Sequence, residues 1–524
     1  MDFLIHHMLR SSAARYPAKE ALVHGSRRLS YSQVVSACSS FAFGLRKAGI
    51  ARGDRVGIYL DPSVEQVLSI FSTSQAGGVY VPINTVLVPD QVAHIVRDCG
   101  MKALITSPEK IETLEPALRD GSPLQFLVAT GNRNGHGAAE NHLPVHRMEE
   151  MLAASFDGVW QDWGISQDLA AILYTSGSTG KPKGVMLSHA NIMAGSTIVS
   201  TYLGITQRER ILAVLPFSFD AGMNQLMTAF QQGGTIVLIK FVFATQIIEA
   251  LLAEGITGLA GVPTVWSLLA NGGILKHSFP DLRYITNTGG AMPQAVLQTL
   301  RQALPHTRIF LMYGLTEAFR STYLPPEELD QRPTSMGKAI PDTEILVVNE
   351  AGERCRPGEV GELVHRGPTV SLGYWGNPEA TNRVLKPNPL LPPELGNCEK
   401  VCYSGDLVKM DEDGFLYYVG RRDTMIKSSG YRISPTEVEE ILFQTGKIRQ
   451  AAAIGIPDEV LGQTVKAFVV AKDGDELDCE YIQAYCLEKM PRHMVPKHFE
   501  VMNELPKTSS GKVDYPALRR REGL

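Results

Sequence analysis

The chain predicts an α/β protein: a large N-terminal domain of helix-covered parallel sheets with a small β subdomain, then a smaller α+β C-terminal domain. Three observations carry this prediction. The 524 residues suit two or more domains at roughly 100–200 residues each. From about residue 30, short apolar runs alternate with helix-like segments, the signature of parallel strands joined by helical crossovers. After residue 335 that alternation yields to short strands between Gly/Pro turns, and a last compact block starts near Arg421. The expected domains are residues 1–420 and 421–524.

Asp54–Leu60 reads as a strand, Ser63–Ala76 as a helix and Gly78–Pro82 as a strand. The order returns as strand Gly234–Ile239, helix Thr245–Ala253, strand Ile256–Ala260 and helix Pro263–Ala270. It continues with strand Leu282–Thr286, helix Pro293–Ala303 and strand Arg308–Met312. Ligands of such sheets sit outside the carboxyl ends of the strands. Glu344–Asn349 and Gly361–Arg366 are the strands expected of the β subdomain, and residues 383–398, with four prolines, read as a surface loop. Ser434-Pro-Thr-Glu437 is a capping box with proline at the first helical position, so a helix starts there. Strands near Ala451–Ile456 and Val465–Ala471 and a helix near 479–490 complete the last block.

Composition excludes several classes. Lys+Arg number 50 against 55 Asp+Glu, a net charge of −5, too balanced for nucleic-acid binding by bulk charge. With 44% hydrophobic and 20% charged residues, general disorder is excluded. No apolar run approaches the length of a transmembrane helix. The seven cysteines are scattered, odd in number and without a CxxC pair, which argues against a disulfide framework. Cys398-x-x-x-Cys402 resembles half of a metal site, but no second Cys/His pair follows at suitable spacing. The N-terminus breaks its apolar run with His6 and His7 and lacks the form of a signal peptide. A reduced, cytoplasmic protein is expected.

The most informative segment is Tyr174-Thr-Ser-Gly-Ser-Thr-Gly-Lys-Pro-Lys-Gly184, which follows the apolar Ala170–Leu173. A strand runs into a loop with three glycines, four aliphatic hydroxyls and two lysines. Glycines let backbone approach a phosphate, hydroxyls and N–H groups donate to its oxygens, and lysines balance its charge. Only two residues separate Gly177 from Gly180, and Pro182 follows Lys181, so this is not a Walker loop.

TSGSTGKPKG resembles the signature of the adenylate-forming superfamily, which comprises acyl-CoA synthetases, peptide-synthetase adenylation domains and luciferases. Other motifs of that superfamily follow in order: Ala76–Pro82, Tyr313-Gly-Leu-Thr-Glu317, Gly361-Glu-Leu363 with Gly373-Tyr-Trp375, Tyr403-Ser-Gly-Asp406, Gly420–Lys427 running on to Gly430, and Pro506–Lys512. The resemblance covers essentially the whole chain and is greatest to stand-alone acyl-CoA ligases associated with bacterial exosortase systems.

The resemblance implies ATP, Mg²⁺ and coenzyme A or a phosphopantetheine carrier as the small-molecule partners. Thr175, Ser176 and Lys183 would lie along the β/γ-phosphates, and Gly177, Ser178, Thr179 and Gly180 would also bind ATP. Thr316 would bond the α-phosphate and Glu317 would hold Mg²⁺, a hard cation that prefers carboxylate oxygen. Tyr313, with Gly314 after it, would stack on adenine, and Gly289, Gly290 and Ala291 would line its other side. Asp406 would accept both ribose hydroxyls, with Arg421 adding a contact. Lys512 would bridge the substrate carboxylate and the α-phosphate. Asp423 would be the hinge of the C-terminal domain, whose rotation exchanges Lys512 for the strand carrying Lys427 and Gly430, which shapes the pantetheine channel. Read without the resemblance, Glu317 instead pairs with Arg320 across one helical turn, and His189 packs near a helix start.

By alignment the acid pocket is lined by Phe219, Asp220, Asn224, Thr286, Thr288, Met312, Arg320 and Ser321. This wall is mixed and moderately polar, which disfavours a long-chain fatty acid. Phe219-Asp220 resembles the pair by which peptide-synthetase domains bind an amino group. Asp220 thus has two readings, a partner for a substrate ammonium or for Arg320. The chain ends directly after its last motif, so a stand-alone ligase is expected. Three functions remain open at this point: an AMP-forming acyl-CoA ligase, an aminoacyl–carrier-protein ligase, and a non-catalytic binding protein on the same fold.

Overall fold

The structure is a computed structural model. It describes residues 2–119, 121–131, 143–154, 160–175, 182–395, 398–422, 424–428, 431–458, 461–472, 477–508 and 511–524. Two compact units emerge: one formed by the described residues up to Thr175 with Pro182–Glu344 and His365–Leu385, the other by the described residues of Ile345–Val364 and Lys386–Leu524.

The first unit is α/β. Its nine-stranded sheet runs Lys338–Ala339, Ala318–Leu324, Arg308–Leu315, Tyr284–Asn287, Gly258–Gly261, Arg210–Ala213, Thr235–Leu238, Glu20–His24 and Arg27–Ser30. The pairings from Arg308–Leu315 to Glu20–His24 are parallel. An eight-stranded sheet runs Gly373–Tyr374, Lys183–Ser188, Leu169–Thr175, Val79–Pro82, Arg55–Tyr59, Ala103–Thr106, Phe126–Ala129 and Val145–Arg147. Its interior strands are buried at nearly every position, as expected where both faces are covered. Helix Val64–Gln75 starts where Ser63 accepts a hydrogen bond from the Gln66 N–H, a side-chain N-cap. The N-terminal helix Ile5–Arg15 buries Ile5, Met8 and Leu9. His6, His7 and Arg10 on that helix all hold Asp162, at 2.8, 2.9 and 2.8 Å.

The second unit holds two five-stranded sheets. In one, Glu344–Val348, Val360–Arg366, Lys400–Met410 and Leu385–Pro387 are neighbours in that order, and Leu416–Arg421 pairs with Lys400–Met410. In the other, Ile448–Asp458 and Gly462–Ala471 form a long antiparallel pair. That pair packs with helices Pro435–Gln444 and Cys479–Lys489 around Val438, Leu442, Ile482 and Cys486. Ser434 caps the first of these helices through the Glu437 N–H.

The structure departs from the expected surface loop at 383–398. Leu385–Pro387 is an edge strand and Leu385 is buried. Proline at an edge leaves no unmet donor inside the sheet, so a proline-rich stretch is compatible with this pairing. Among the described residues, no helix is long and apolar enough to cross a membrane.

Candidate active site

Strands Leu169–Thr175 and Lys183–Ser188 are antiparallel, with Thr175 paired to Lys183. The glycine-rich segment therefore connects two strands and does not open a helix. Its members Ser176, Gly177, Ser178, Thr179 and Gly180 lie outside the described residues. Gly184 has no room for a side chain, since a Cβ there would come within 2.6 Å of the Ile172 side chain.

The neighbouring short strand Gly373–Tyr374 pairs with Lys183–Ser188 through Tyr374 and Val185. This brings Tyr374 beside two of the sequence-selected residues. Its hydroxyl donates to Glu317 Oε1 at 2.6 Å, and Lys183 Nζ lies 5.6 Å from its ring centroid. Lys183 and Glu317 thus meet at a tyrosine that the sequence places in a motif without a role. The Gly373-Tyr-Trp375 motif that contains it was the available signal.

Thr316 and Glu317 form the turn between Arg308–Leu315 and Ala318–Leu324, where Leu315 pairs with Ala318. The alternative of a helical Glu317–Arg320 pair is overturned, because the segment is a β-hairpin. The Ser371 N–H also donates to the Glu317 carbonyl at 2.8 Å. Tyr374 takes one carboxylate oxygen of Glu317. A half-buried carboxylate whose other oxygen has no hydrogen-bond partner among the described residues suits Mg²⁺, which binds through one or two carboxylates plus substrate phosphates. Tyr313 and Gly314 precede the turn in the same strand. Gly289, Gly290 and Ala291 follow strand Tyr284–Asn287 as an exposed edge. Gly289 has φ +78°, a conformation glycine adopts freely, and Asn287 Nδ2 donates to the Gly290 carbonyl at 2.9 Å.

Of the expected pocket residues, Thr286 and Thr288 lie at the carboxyl end of strand Tyr284–Asn287, Met312 lies within Arg308–Leu315, Arg320 and Ser321 lie near the amino end of Ala318–Leu324, and the others lie at one helix start. Thr286, Thr288, Met312, Arg320 and Ser321 are all buried. The Tyr202 hydroxyl lies 3.5 Å from the Met312 sulfur, and Arg320 Nη1 donates to Thr288 Oγ1 at 2.5 Å. His365, missed in the sequence, stands between Ser321 Oγ and Thr369 Oγ1, each at 3.0 Å. Burial pulls its pKa down to about 3, so the ring is neutral across the physiological range.

Phe219 precedes helix Asp220–Gln232, which carries Asp220 in its first turn and the buried Asn224. An acidic residue there is favoured by the helix dipole, and Asp220 Oδ1 accepts from the Ala221 N–H at 2.8 Å. A Cβ on Gly222 would sit 2.2 Å from the Pro216 carbonyl oxygen, so only glycine lets this helix start press on that loop. Asp220 and Arg320 are not within ion-pair distance of each other. His189 opens helix His189–Leu203, and its Nδ1 accepts the Ile5 N–H at 3.2 Å. Burial lowers its pKa to about 3, and it packs as the sequence suggested.

In the second unit, Asp406 and Arg421 are register partners on paired strands, with Arg421 Nη1 3.3 Å from Asp406 Oδ1. Glu362 accepts from the Gly405 N–H at 3.0 Å and from Arg422 at 2.9 Å, which fixes the turn carrying Asp406. Lys512 is exposed, and its carbonyl accepts from the Thr508 N–H at 2.7 Å. Lys427 lies in strand Ile426–Ser428. Asp423 and Gly430 lie outside the described residues.

Residues 9–375 match the AMP-binding enzyme family, and residues 437–512 match the AMP-binding enzyme C-terminal domain. The chain belongs to the AMP-binding enzyme family. It is an ATP-dependent, AMP-forming ligase of the adenylate-forming superfamily. It is 32% identical over 512 residues to a feruloyl-CoA synthase of Amycolatopsis sp, covering 97% of this chain and 96% of that protein. It is 29% identical over 537 residues to a long-chain-fatty-acid–CoA ligase of Bacillus subtilis, covering 98% and 93%. The anthranilate CoA ligase AuaEII, solved with anthranoyl-AMP, superposes with a TM-score of 0.88 at 26% identity, covering 99% of this chain and 97% of that one.

Proposed function

We propose that this ligase activates a carboxylic acid as its acyl-adenylate and passes the acyl group to the thiol of coenzyme A. The observation that carries this reading is the convergence of Lys183, Tyr374 and Glu317 beside the strand ends that flank the glycine-rich segment. A carboxylate is a weak nucleophile toward the α-phosphorus, so charge neutralisation and positioning lower the barrier. In this reading Thr175 and Lys183 bind the β/γ-phosphates and Thr316 bonds the α-phosphate. Glu317, oriented by the Tyr374 hydroxyl, would hold Mg²⁺, which shields phosphate charge. Tyr313 and the edge Gly289–Ala291 receive adenine, while Asp406, aligned with Arg421, takes the ribose hydroxyls. Lys512 bridges carboxylate and α-phosphate. The names of the relatives, each a ligase or synthase of an acid with CoA, support the acceptor.

The two half-reactions need different groups, so we assign Lys512 to the first and Lys427, with Gly430, to the second, the exchange turning about Asp423. Lys512→Ala should lose 10²–10³ in adenylation from ATP yet still convert a supplied acyl-adenylate to thioester. Lys427→Ala should show the reverse. Pyrophosphate release and thiol consumption follow the two steps separately. Equal slowing of both steps by Lys512→Ala would refute the exchange. A second reading, activation of an amino acid for a carrier protein, is favoured by one observation: Asp220 opens helix Asp220–Gln232 with no ion pair to Arg320.

A further inference from the structure

We infer that Arg320 is a specificity-determining residue that receives a second anionic group, a distal carboxylate, on the acid substrate. The inference rests on the acid-activating reading above and names its substrate class.

Arg320 is 4% exposed. A guanidinium carries five N–H donors and no acceptor. One of these donates to the Thr288 hydroxyl, and the guanidinium carbon lies 5.1 Å from the neighbouring Phe319 ring. Nε is buried with no hydrogen-bond partner among the described residues. No carboxylate of the described residues lies within ion-pair distance of this side chain, Asp220 and Glu317 included. A buried cation served by one neutral hydroxyl is far short of its normal complement, because buried charges are paired.

The backbone points the same way. Arg320 has φ +53°, uncommon for any side chain other than Gly, Asn or Asp. Such residues cluster where the surroundings over-determine a functional geometry. The hairpin is close here: a Cβ on Gly314 would approach the Arg320 Cα to 2.8 Å, and the strand pairing is irregular between Tyr313 and Leu315. The side chain is directed to Thr288. Glu317 is engaged elsewhere, by Tyr374.

The reacting carboxylate is an alternative source of the same anionic oxygen, and the experiment separates the two. The full-length protein and Arg320→Met are compared on matched acids that differ in one distal group: adipate against hexanoate, and terephthalate against 4-methylbenzoate. Pyrophosphate release gives kcat/KM, and calorimetry without ATP gives binding of the free acids. If Arg320 receives the distal carboxylate, the wild type prefers one diacid over its neutral partner by 10²-fold or more. Arg320→Met then abolishes that preference, lowering kcat/KM for the diacid at least tenfold more than for its neutral partner, and weakens diacid binding at least tenfold. Arg320→Lys restores part of the preference. If the wild type prefers the neutral acids throughout, or Arg320→Met slows both members of a pair equally, Arg320 serves the reacting carboxylate or the fold and the inference is wrong. If no acid releases pyrophosphate but Arg320→Met still loses diacid binding, the anion site stands and the acid-activating reading falls.

Discussion

Tyr374→Phe isolates one contact. The substitution removes a single oxygen and keeps the ring, so the burial of residue 374, its pairing with Val185 and the position of its ring near Lys183 persist. What disappears is the 2.6 Å hydrogen bond to Glu317 Oε1. A hydrogen bond to a charged group is worth about 1.5–3 kcal/mol. Glu317 is only half-buried, so water replaces part of that, and the lower end applies. About 1–2 kcal/mol corresponds to a rate loss of roughly 5–30-fold. The loss should fall on adenylation and be accompanied by a higher Mg²⁺ concentration for half-maximal rate, because the freed carboxylate must be ordered by the cation itself. Stability should change by less than about 1 kcal/mol. The assay is pyrophosphate release under Mg²⁺ titration, beside thermal unfolding. Wild-type rates and an unchanged Mg²⁺ dependence would refute the assignment of Tyr374 as the residue that positions Glu317.

In the second unit, burial raises the pKa of Glu439 from 4.5 to about 7, although Tyr515 and the Ala453 N–H both donate to it. A carboxyl raised on folding stabilises fully below its unfolded value, and that contribution is lost as pH rises through the folded value, here about 3 kcal/mol between pH 4.5 and 7. Denaturant unfolding of wild type and Glu439→Gln at pH 5 and pH 8 should therefore show the wild type losing stability relative to the variant, and parallel behaviour would sink the idea. Asp220→Ala should lose activation of an amino acid by 10²-fold or more while sparing the deaminated acid, if the amino-acid reading holds. A wild type that activates only acids without an amino group removes that reading.

The sequence by itself determined the elements and the family. Strands such as Val79–Pro82 were legible because burial on both faces demands a continuous apolar run, and helix starts at Ser63 and Ser434 were legible because a cap is a local hydrogen bond. The motifs were legible because phosphate binding needs glycine, hydroxyl and lysine within one short stretch. Tertiary structure alone decided what depends on partners distant in the chain. Glu20–His24 pairs with Thr235–Leu238, and Leu385–Pro387 is an edge strand, because pairing depends on which edge the folded sheet leaves open. Tyr374 meets Glu317 57 positions away, and no local pattern marks either as the other's partner. Asp220 read equally well as the partner of a substrate ammonium or of Arg320. Only the hairpin, its left-handed residue and the Thr288 contact showed a buried cation paired with neither Asp220 nor Glu317, because burial and orientation are properties of the packed whole.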